Sequence, residues 1–192
     1  GFAWAILQPL VMMALFTLFF GKALSVPSDS IPYPVFVFPG LLLWNIFSSG
    51  VSNAGSSMVT NANIIKKIYF PRLIIPLSSV LVALFDFLMA MVIFIAVLFF
   101  YHAEIYWQYI LWMPAGLLIT AFATFGFGTW LAALNVKYRD VNQALPFLTQ
   151  FWLFATPVAY AFSSLPDLAK VVLSLNPMTG VVNGFRWALL GT

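Results

Sequence analysis

The sequence predicts an all-α membrane protein, built as a polytopic bundle of helices that cross a lipid bilayer. The chain has 192 residues, of which 63% are hydrophobic and only 7% are charged. A soluble domain usually carries ~25% charged residues, so this composition cannot cover a water-exposed surface. The mean hydropathy of +1.01 excludes a disordered chain, because disorder needs low hydrophobicity and high charge. Continuous apolar runs such as MAMVIFIAVLFFY, residues 89–101, lack the alternation of a membrane β-barrel.

Five stretches are long enough to cross the hydrocarbon core, which takes ~20 apolar residues in a helix. We predict membrane spans at residues 2–20, 34–59, 73–101, 106–134 and 144–162. No internal repeat or low-complexity tract divides the chain, so we expect residues 1–192 to form one domain. Because an apolar run already begins at Phe2, we expect a sequence truncated at both ends, with a sixth span following Thr192.

The second predicted span changes character halfway along its length. Residues 48–60 read SSGVSNAGSSMVT and are rich in Ser, Asn and Gly, which are poor lipid-facing residues. One interpretation is that this half is buried in protein or faces a translocation path. The other is simple close packing of helices, and both interpretations stay open from the sequence.

Basic residues are concentrated in two of the loops between the predicted spans. The loops at 60–72 and 135–142 hold five of the eight Lys and Arg residues. The positive-inside rule places both loops in the cytoplasm, and alternation of the spans places the loop at 163–180 outside. The positive charge is therefore a topology signal, and we expect no nucleic acid as a partner.

Catalytic and metal-binding motifs are missing from the sequence. It has no cysteine, no GxxxxGK[ST] loop for nucleotide phosphates and no GxSxG nucleophile motif. His102 and Glu104 stand close together in one loop, but they are too few to ligate a metal. We therefore predict that this chain is not an enzyme, has no catalytic or metal site, and holds no cofactor itself.

Asp86 is the one ionisable side chain deep within a predicted span, near the middle of the third. A charge at that depth is costly and usually faces the interior of the bundle. Asp86 would either contact substrate or a coupling ion, or be a protonated or hydrogen-bonded group with a structural role. One acid without a second buried partner is weak support for a proton relay.

Each basic loop carries a compact polar motif. Residues 61–72 read NANIIKKIYFPR, in which Asn61 or Asn63 can cap a short amphipathic helix and Pro71 ends it. Residues 135–141 read NVKYRDV, a tight turn with the same basic and aromatic character. These charges either only anchor the topology or also contact a partner in the cytoplasm.

Four segments of the sequence resemble the permease subunits of ABC-2 type transporters. They are NANIIKKIYFPRLIIP at 61–76, NVKYRDVNQALPFLTQFWLFATPVAY at 135–160, GFAWAILQP at the start and NPMTGVVNGFRWALLG near the end. They stand in the family's order, cover nearly the whole chain, and are most similar to the branch that exports polysaccharides such as O-antigen, capsule and teichoic acid. The family has six spans preceded by an amphipathic helix, and this sequence departs from it in lacking that helix and the sixth span.

The resemblance implies a fold of the ABC-2 exporter type and a homodimer paired with two copies of a separate ATP-binding cassette subunit. That subunit would bind ATP and Mg²⁺. Residues 63–70 would form the main coupling helix that docks on it, and residues 136–140 part of a second contact. The residues implied in this coupling are Asn63, Lys66, Lys67, Tyr69, Phe70, Arg72, Lys137, Tyr138, Arg139 and Asp140.

Candidate residues along a substrate path are aromatic or charged. Trp44, Trp152 and Tyr160 offer an apolar face with a polar tip that suits a sugar, or else they pack in the core or against lipid. Arg186 would meet a lipid phosphate or an anionic glycan, or else extend to the lipid headgroups. Asp86 completes this set.

The end of the fifth predicted span and the segment after it contain helix-breaking prolines. Pro157 is predicted to kink the span, with Thr156 hydrogen-bonding to a freed carbonyl. Residues 165–191 form two short amphipathic runs broken at Asn176, each too short to cross a membrane. The resemblance implies that these runs are re-entrant or interfacial helices near an outer gate.

Together these observations predict the transmembrane subunit of an ABC exporter in the bacterial cytoplasmic (inner) membrane. It would move a lipid-linked polysaccharide out of the cytosol, surrounded by membrane lipid and driven by ATP hydrolysis on its partner. Two alternatives stay open: an ABC-2 exporter of drugs or small lipids, and a proton-coupled carrier that uses Asp86. An intramembrane glycosyltransferase is disfavoured, because the sequence offers no pair of acids within the spans.

Overall fold

The computed structural model describes residues 2–26, 28, 31–67, 69, 71–103, 106–138 and 140–191, and it is helical throughout its regular elements. The α-helices are α1 (Phe2–Phe16), α2 (Tyr33–Thr60), α3 (Ala62–Ile65), α4 (Ile74–Phe100), α5 (Met113–Lys137), α6 (Val141–Phe154), α7 (Asp167–Ser174) and α8 (Pro177–Leu190). A π-helical stretch, Thr17–Ala23, continues α1, and a 3₁₀ stretch, Trp107–Trp112, leads into α5. The prediction of an all-α protein is confirmed.

Four helical segments within the described residues are long and apolar enough to cross a membrane. They are Ile6–Ala23, Tyr33–Thr60, Ile74–Phe100 and Gln108–Lys137. These segments coincide with the first four predicted spans to within a few residues. The hydrocarbon core needs ~20 helical residues, and the segments meet that length because each is an unbroken apolar run.

Helix α2 is the centre of the bundle. It packs most extensively against α5 and α4, and it also contacts α1, α6 and α8. Large apolar side chains fill its first half and are fully buried, including Phe36, Phe38, Leu43, Ile46 and Phe47. A helix that is apolar on all sides and surrounded by other helices is typical of a bundle core, so α2 organises the fold.

The second half of α2 approaches α5 very closely through small residues. A Cβ atom added to Gly128 of α5 would lie 2.7 Å from the Cβ of Ala54. A Cβ added to Gly50 of α2 would collide with the methyl group of Thr124. Small side chains let two backbones approach within a membrane, where no hydrophobic effect drives helices together. Close packing, one of the two interpretations left open for residues 48–60, therefore applies to this face.

The outer surfaces of α4 and α5 are apolar. On α4, Leu81, Val82, Leu88 and Val92 are all more than half exposed, whereas Phe87 and Phe94 are buried toward the bundle. Exposed aliphatic side chains along a helix of membrane length are the surface that lipid chains solvate, so these helices lie at the periphery.

The fifth predicted span is shorter than expected. Helix α6 has 14 residues and ends at Phe154, and residues 155–161 form turns. The prediction of a membrane-length helix kinked at Pro157 is therefore wrong. The proline disfavours a helical conformation for Thr156 and has no N–H to donate, and here the chain leaves the helix altogether. The Thr156 hydroxyl does donate to the carbonyl of Trp152, as predicted, at a distance of 3.0 Å.

The two short runs near the end of the chain form α7 and α8, separated at Asn176. The side chain of Asn176 caps α8 by accepting a hydrogen bond from the backbone N–H of Met178 at 3.0 Å. Most of α7 is exposed, whereas α8 is largely buried against α2 and α5. Burial on this scale favours insertion of α8 into the bundle over a position on its surface.

The predicted amphipathic helix in residues 61–72 is only partly formed. Helix α3 is a single turn, Ala62–Ile65, followed by a turn at Lys66. Asn61 stands at the N-cap but its side chain accepts no backbone N–H, and Asn63 lies inside the helix, so the prediction that one of them caps it is wrong. The amide of Asn61 instead donates to the carbonyl of Ser57 at 2.8 Å, which closes the end of α2.

Candidate functional site

The basic residues of the two loops lie at one end of the bundle, which we call the basic end. Lys66, Lys67, Arg72 and Lys137 are all exposed there, and Tyr69 is fully exposed. Lys170 and Asp167 form an ion pair within α7 at 3.6 Å, far from these cations in the sequence. The exposed charges of the basic end are thus available to a partner.

The remaining coupling candidates are less uniform. Tyr138 lies under the ammonium group of Lys137, with 5.1 Å between the nitrogen and the ring centre. Asn63 and Asp140 are exposed. Phe70 and Arg139 lie outside the residues that the structure describes. The structure therefore places most of the candidates on an accessible surface.

A cavity of about 280 Å³ joins the two basic loops, and we call it the basic cavity. Its wall is formed by Met58, Val59, Ala62, Ile65, Lys66, Arg72, Asn135 and Val136. Residues from the end of α2, from α3 and its following loop, and from the end of α5 thus meet in one place. Lys66 and Arg72 share the cavity with Asn135 and Val136 from the second loop region.

Asn135 was not singled out from the sequence as a candidate. Only 1% of it is exposed, and its amide nitrogen donates to the backbone carbonyl of Gly55 at 3.0 Å. This bond ties the end of α5 to α2. In the sequence, Asn135 is an amide residue directly after an apolar span. A polar residue is also expected there simply because a loop begins, so its position alone does not indicate a functional role.

A second recess runs between α1, α2 and α6, and we call it the polar groove. It has a volume of about 340 Å³. Its lining is Gln8, Pro9, Met12, Leu41, Trp44, Asn45, Ser48, Ser49, Ser52, Pro146, Thr149, Gln150 and Leu153. Amides and hydroxyls dominate its polar lining, and no charged side chain is among these described residues. Ser48, Ser49 and Ser52 lie in the small, polar region noted in the sequence, whereas the other α2 residues of the lining precede it.

The hydroxyls of the polar groove are partly used within their own helices. Ser49 donates to the carbonyl of Asn45 at 2.5 Å, and Thr149 donates to that of Leu145 at 3.0 Å. Their oxygens remain able to accept hydrogen bonds, and the amides of Gln8 and Gln150 offer donors. Such a surface suits a neutral ligand rich in hydroxyl groups.

Sequence reasoning identified only part of the polar groove. It noted the polar half of α2 and Trp44, but missed Gln8, Asn45 and Gln150. The available signal was the recurrence of Asn45, Ser48, Ser49 and Ser52 at helical spacing, which puts them on one face of α2. The contribution of α1 and α6 depends on how the helices pack, and spacing within one helix does not reveal it.

The three aromatic candidates are not brought together. Trp44 lines the polar groove, although only 6% of it is exposed. Trp152 packs edge-on against Phe47 and Phe127, with 5.1 Å between ring centres in each pair. The hydroxyl of Tyr160 donates to the carbonyl of Phe154 at 2.9 Å. Trp44 is therefore the one of the three that the structure places at a recess.

Arg186 occupies a different environment from the one predicted. Only 3% of it is exposed, and its guanidinium donates from Nε to the carbonyl of Phe36 at 3.0 Å and from Nη1 to that of Pro157 at 2.7 Å. Nη2 donates to the carbonyl of Val158, and the group lies 3.9 Å from the centre of the Phe36 ring. The predictions of contact with a glycan or of extension to the headgroups are therefore wrong, because the charge is buried among backbone carbonyls.

Gly40 makes room for this arrangement. A Cβ at Gly40 would lie 2.8 Å from Nη2 of Arg186. Any larger residue at this position of α2 would push the guanidinium away from the carbonyls it joins. We call this part of the bundle, with Tyr33, Pro157 and Arg186, the opposite end.

Asp86 is half-buried on α4, between residues that face the bundle and residues that face outward. Its neighbour Phe87 is buried and packs edge-on against Phe185 of α8. No hydrogen bond or ion pair joins the Asp86 carboxyl to another of the described residues.

Comparison with known proteins identifies similar sequences over almost the full chain. Residues 1–190 match the model of the family described as ABC-2 type transporter. The O-antigen export system permease protein RfbA of Myxococcus xanthus is 31% identical over 189 residues, which is 97% of this chain and 71% of that protein. The protein of the same name from Klebsiella pneumoniae is 29% identical over 186 residues, with the same coverage of 97% and 71%. The polysialic acid transport protein KpsM of Escherichia coli is 23% identical over 198 residues, covering 99% of this chain and 74% of that protein.

Proposed function

Because the chain belongs to the ABC-2 type transporter family, we propose that it is the transmembrane subunit of an ATP-driven exporter of a lipid-linked polysaccharide. It is an integral, multi-pass membrane protein. The relatives named for O-antigen export and polysialic acid transport align with nearly all of it. Their cargoes are polysaccharides, and the chemistry of the polar groove fits a cargo of this class.

The polar groove is the single observation that carries the choice of cargo. Uncharged amides and hydroxyls, with Trp44 at the wall, match the alternating hydroxyls and apolar ring faces of a sugar chain. A drug or small-lipid exporter would gain little from this lining, because an apolar cargo leaves polar groups without partners. We therefore place polysaccharide ahead of those cargoes.

The energy for export would come from a separate ATP-binding subunit. As a transmembrane component of an ABC-2 transporter, the chain works with such a subunit. We propose that the subunit contacts the exposed residues of the basic end, in particular Lys67, Tyr69 and Lys137. It would supply the ATP and Mg²⁺ site, and two copies would serve a homodimer of this chain.

The orientation follows from charge. We propose that the basic end faces the cytoplasm, because Lys and Arg in short loops are retained on that side of the membrane. In this orientation the polar groove lies deeper than the basic end, along the middle of α2 and the later part of α6. It would receive the glycan as it enters from the cytosol through the bacterial inner membrane.

The proposal is tested by filling the polar groove. We expect Ser52→Leu to reduce surface polysaccharide at least about tenfold in cells lacking their own permease, because one lost favourable contact of ordinary strength has that effect. The matched control is Asn53→Leu, which makes a similar change on the same helix at an exposed residue that does not line the groove. Membrane levels of both variants and co-purification of the ATP-binding subunit are measured alongside export.

Two outcomes would contradict this proposal. Full export by Ser52→Leu would show that the polar groove does not carry cargo. Equal loss of export in both variants, with normal protein levels, would show that the effect comes from disturbing α2 and not from the groove.

A further inference from the structure

The wall of the basic cavity contains three kinds of side chain: cationic, apolar and amide. Lys66 and Arg72 contribute cationic side chains to its wall. Met58, Val59, Ile65 and Val136 contribute apolar ones. Asn135 adds an amide, so the cavity offers positive charge, a polar group and an apolar lining within about 280 Å³. A water molecule takes ~30 Å³ in the liquid, so the space is large enough for a small charged group.

The amide of Asn135 is only half satisfied. Its nitrogen donates to the carbonyl of Gly55, but its oxygen, Oδ1, is buried and has no hydrogen-bond partner among the described residues. A buried acceptor without a donor costs free energy, and native structures contain few of them. An acceptor of this kind in the wall of a cavity indicates a ligand that brings a donor.

The position of the cavity restricts the ligand further. It lies where the membrane-length helices α2 and α5 end, and its apolar lining includes the exposed side chains of Val59 and Val136. Lipid headgroups occupy this depth, and Lys and Arg next to a span attract their phosphates. A phosphate beside Lys66 and Arg72 would bring an attached ammonium or hydroxyl group toward Asn135.

We propose that the basic cavity binds the headgroup of one membrane phospholipid. The phosphate lies between Lys66 and Arg72, an N–H or O–H of the headgroup donates to Oδ1 of Asn135, and the acyl chains lie along Val59 and Val136. The site is separate from the polar groove, and the proposal does not depend on which cargo the protein exports. It gives Lys66 and Arg72 a lipid contact beside the proposed ATP-binding subunit, whereas Lys67 lies outside the cavity wall.

This geometry predicts selectivity among headgroups. Phosphatidylethanolamine carries an ammonium group with N–H donors, and phosphatidylglycerol carries hydroxyls. Phosphatidylcholine has the same phosphate, but its quaternary ammonium has no N–H to donate. A site that uses Oδ1 of Asn135 therefore favours the first two lipids over the third.

The experiment measures lipid retained by the purified permease with its ATP-binding subunit. The complex is exchanged into nanodiscs that contain each of the three lipids in turn, then released and weighed intact by native mass spectrometry. We expect phosphatidylethanolamine and phosphatidylglycerol to be retained about tenfold more than phosphatidylcholine, as one additional hydrogen bond of ordinary strength would give. The double variant Lys66→Gln, Arg72→Gln should lose the bound lipid, whereas Lys67→Gln, a matched change in the same loop, should keep it.

Each other result overturns the proposal. Equal retention of phosphatidylcholine would exclude a donor to Asn135, and retention by the double variant would exclude the cation pair. Equal loss in Lys67→Gln would show general attraction to a positive surface and no defined site. A bound mass equal to a lipid-linked saccharide, absent from cells that make no glycan, would assign the cavity to cargo and not to phospholipid.

Discussion

The two ends of the bundle are held together by different interactions. At the opposite end, three side chains donate hydrogen bonds to backbone carbonyls far away in the sequence. Tyr33 donates to Ala159 at 2.6 Å, Asn176 to Ala155 at 2.9 Å, and the Nε of Arg186 to Phe36 at 3.0 Å. At the basic end, the long-range side-chain hydrogen bond among the described residues is the one that Asn135 donates to the carbonyl of Gly55. The basic end instead exposes its cations and relies on close packing of α2 and α5.

The difference follows from the backbone. At the opposite end, residues 155–161 are not helical, yet much of this segment is buried in the bundle. Its carbonyls have no helical partners, and water is excluded, so side chains must supply the donors. At the basic end the helices finish near water, which can supply donors to their last carbonyls, so side-chain donors are not required there. The cations of the basic end are therefore exposed to a partner, whereas the guanidinium of Arg186 at the opposite end is used in hydrogen bonds within the fold.

The largest effect should come from removing the buried charge of the opposite end. We expect Arg186→Met to destabilise the fold by ~3 kcal/mol or more, because each buried acceptor left without a donor costs ~1–3 kcal/mol. The carbonyls of Phe36, Pro157 and Val158 would lose their donors. Melting of the detergent-solubilised protein, followed by size-exclusion chromatography, measures the change.

Arg186→Lys should recover part of this stability, because an ammonium donates to carbonyls but lacks the fork that reaches several at once. The control is Lys170→Met, which removes a partly exposed cation of α7. Equal melting of Arg186→Met and the wild type would show that hydrogen bonds to Arg186 do not hold the opposite end.

Close packing near the basic end should respond less strongly. We expect Gly128→Ala to destabilise the fold by ~1–3 kcal/mol, the usual cost of overpacking, because the new methyl would meet Ala54 at 2.7 Å. Gly126→Ala is the matched control two residues away, where a Cβ meets nothing within 4 Å. Equal melting temperatures for Gly128→Ala and Gly126→Ala would show that close packing of α2 and α5 does not stabilise this part of the bundle.

A single neutral hydrogen bond at the opposite end should matter less again. We expect Tyr33→Phe to cost ~1 kcal/mol, since its hydroxyl donates to the carbonyl of Ala159 at 2.6 Å. Tyr109→Phe is a suitable control, because the described side-chain contacts of Tyr109 are ring contacts with Tyr106 and Trp187. The same thermal assay applies, and a larger loss in Tyr109→Phe would argue against the assignment.

Charge reversal at the basic end should leave stability almost unchanged. We expect Lys66→Glu with Lys67→Glu to alter melting by less than ~0.5 kcal/mol, as for exposed sites generally. The same pair should weaken co-purification of the ATP-binding subunit, because two exposed cations become anions at the proposed contact. Lys22→Glu, an exposed cation outside the two basic loops, should not weaken it. Unchanged co-purification of the double variant would place the coupling contact elsewhere.

Much of this architecture could be predicted from the sequence, for a simple reason. Hydropathy and length identify a spanning helix locally, so α2, α4 and α5 match their predicted spans. The end of α6 could not be predicted in the same way. Pro157 permits a kink or a termination, and the choice depends on donors such as Asn176 and Arg186, which lie far along the chain.

The candidate sites show the same limit. The exposed basic residues of both loops could be predicted from charge alone. The burial of Arg186 could not, because its position in a short amphipathic run suggests a surface, and only packing of α8 against α2 removes it from solvent. For residues 48–60 of α2 the sequence left a translocation path and close packing both open, and it could not show the part of α1 and α6 in the polar groove, since the lining comes from three helices.

The absence of charged side chains from the described lining of the polar groove has a consequence for movement. A fixed ion would hold one part of a polymer in a deep energy well and resist its advance. Repeated hydroxyls and amides instead make each position of a sugar chain nearly equivalent in energy, much as conduction through a pore needs sites that release what they bind. If the polar groove carries the cargo as proposed, a long polymer would move from one register to the next over low barriers, and the ATP-binding subunit would have to supply direction more than detachment.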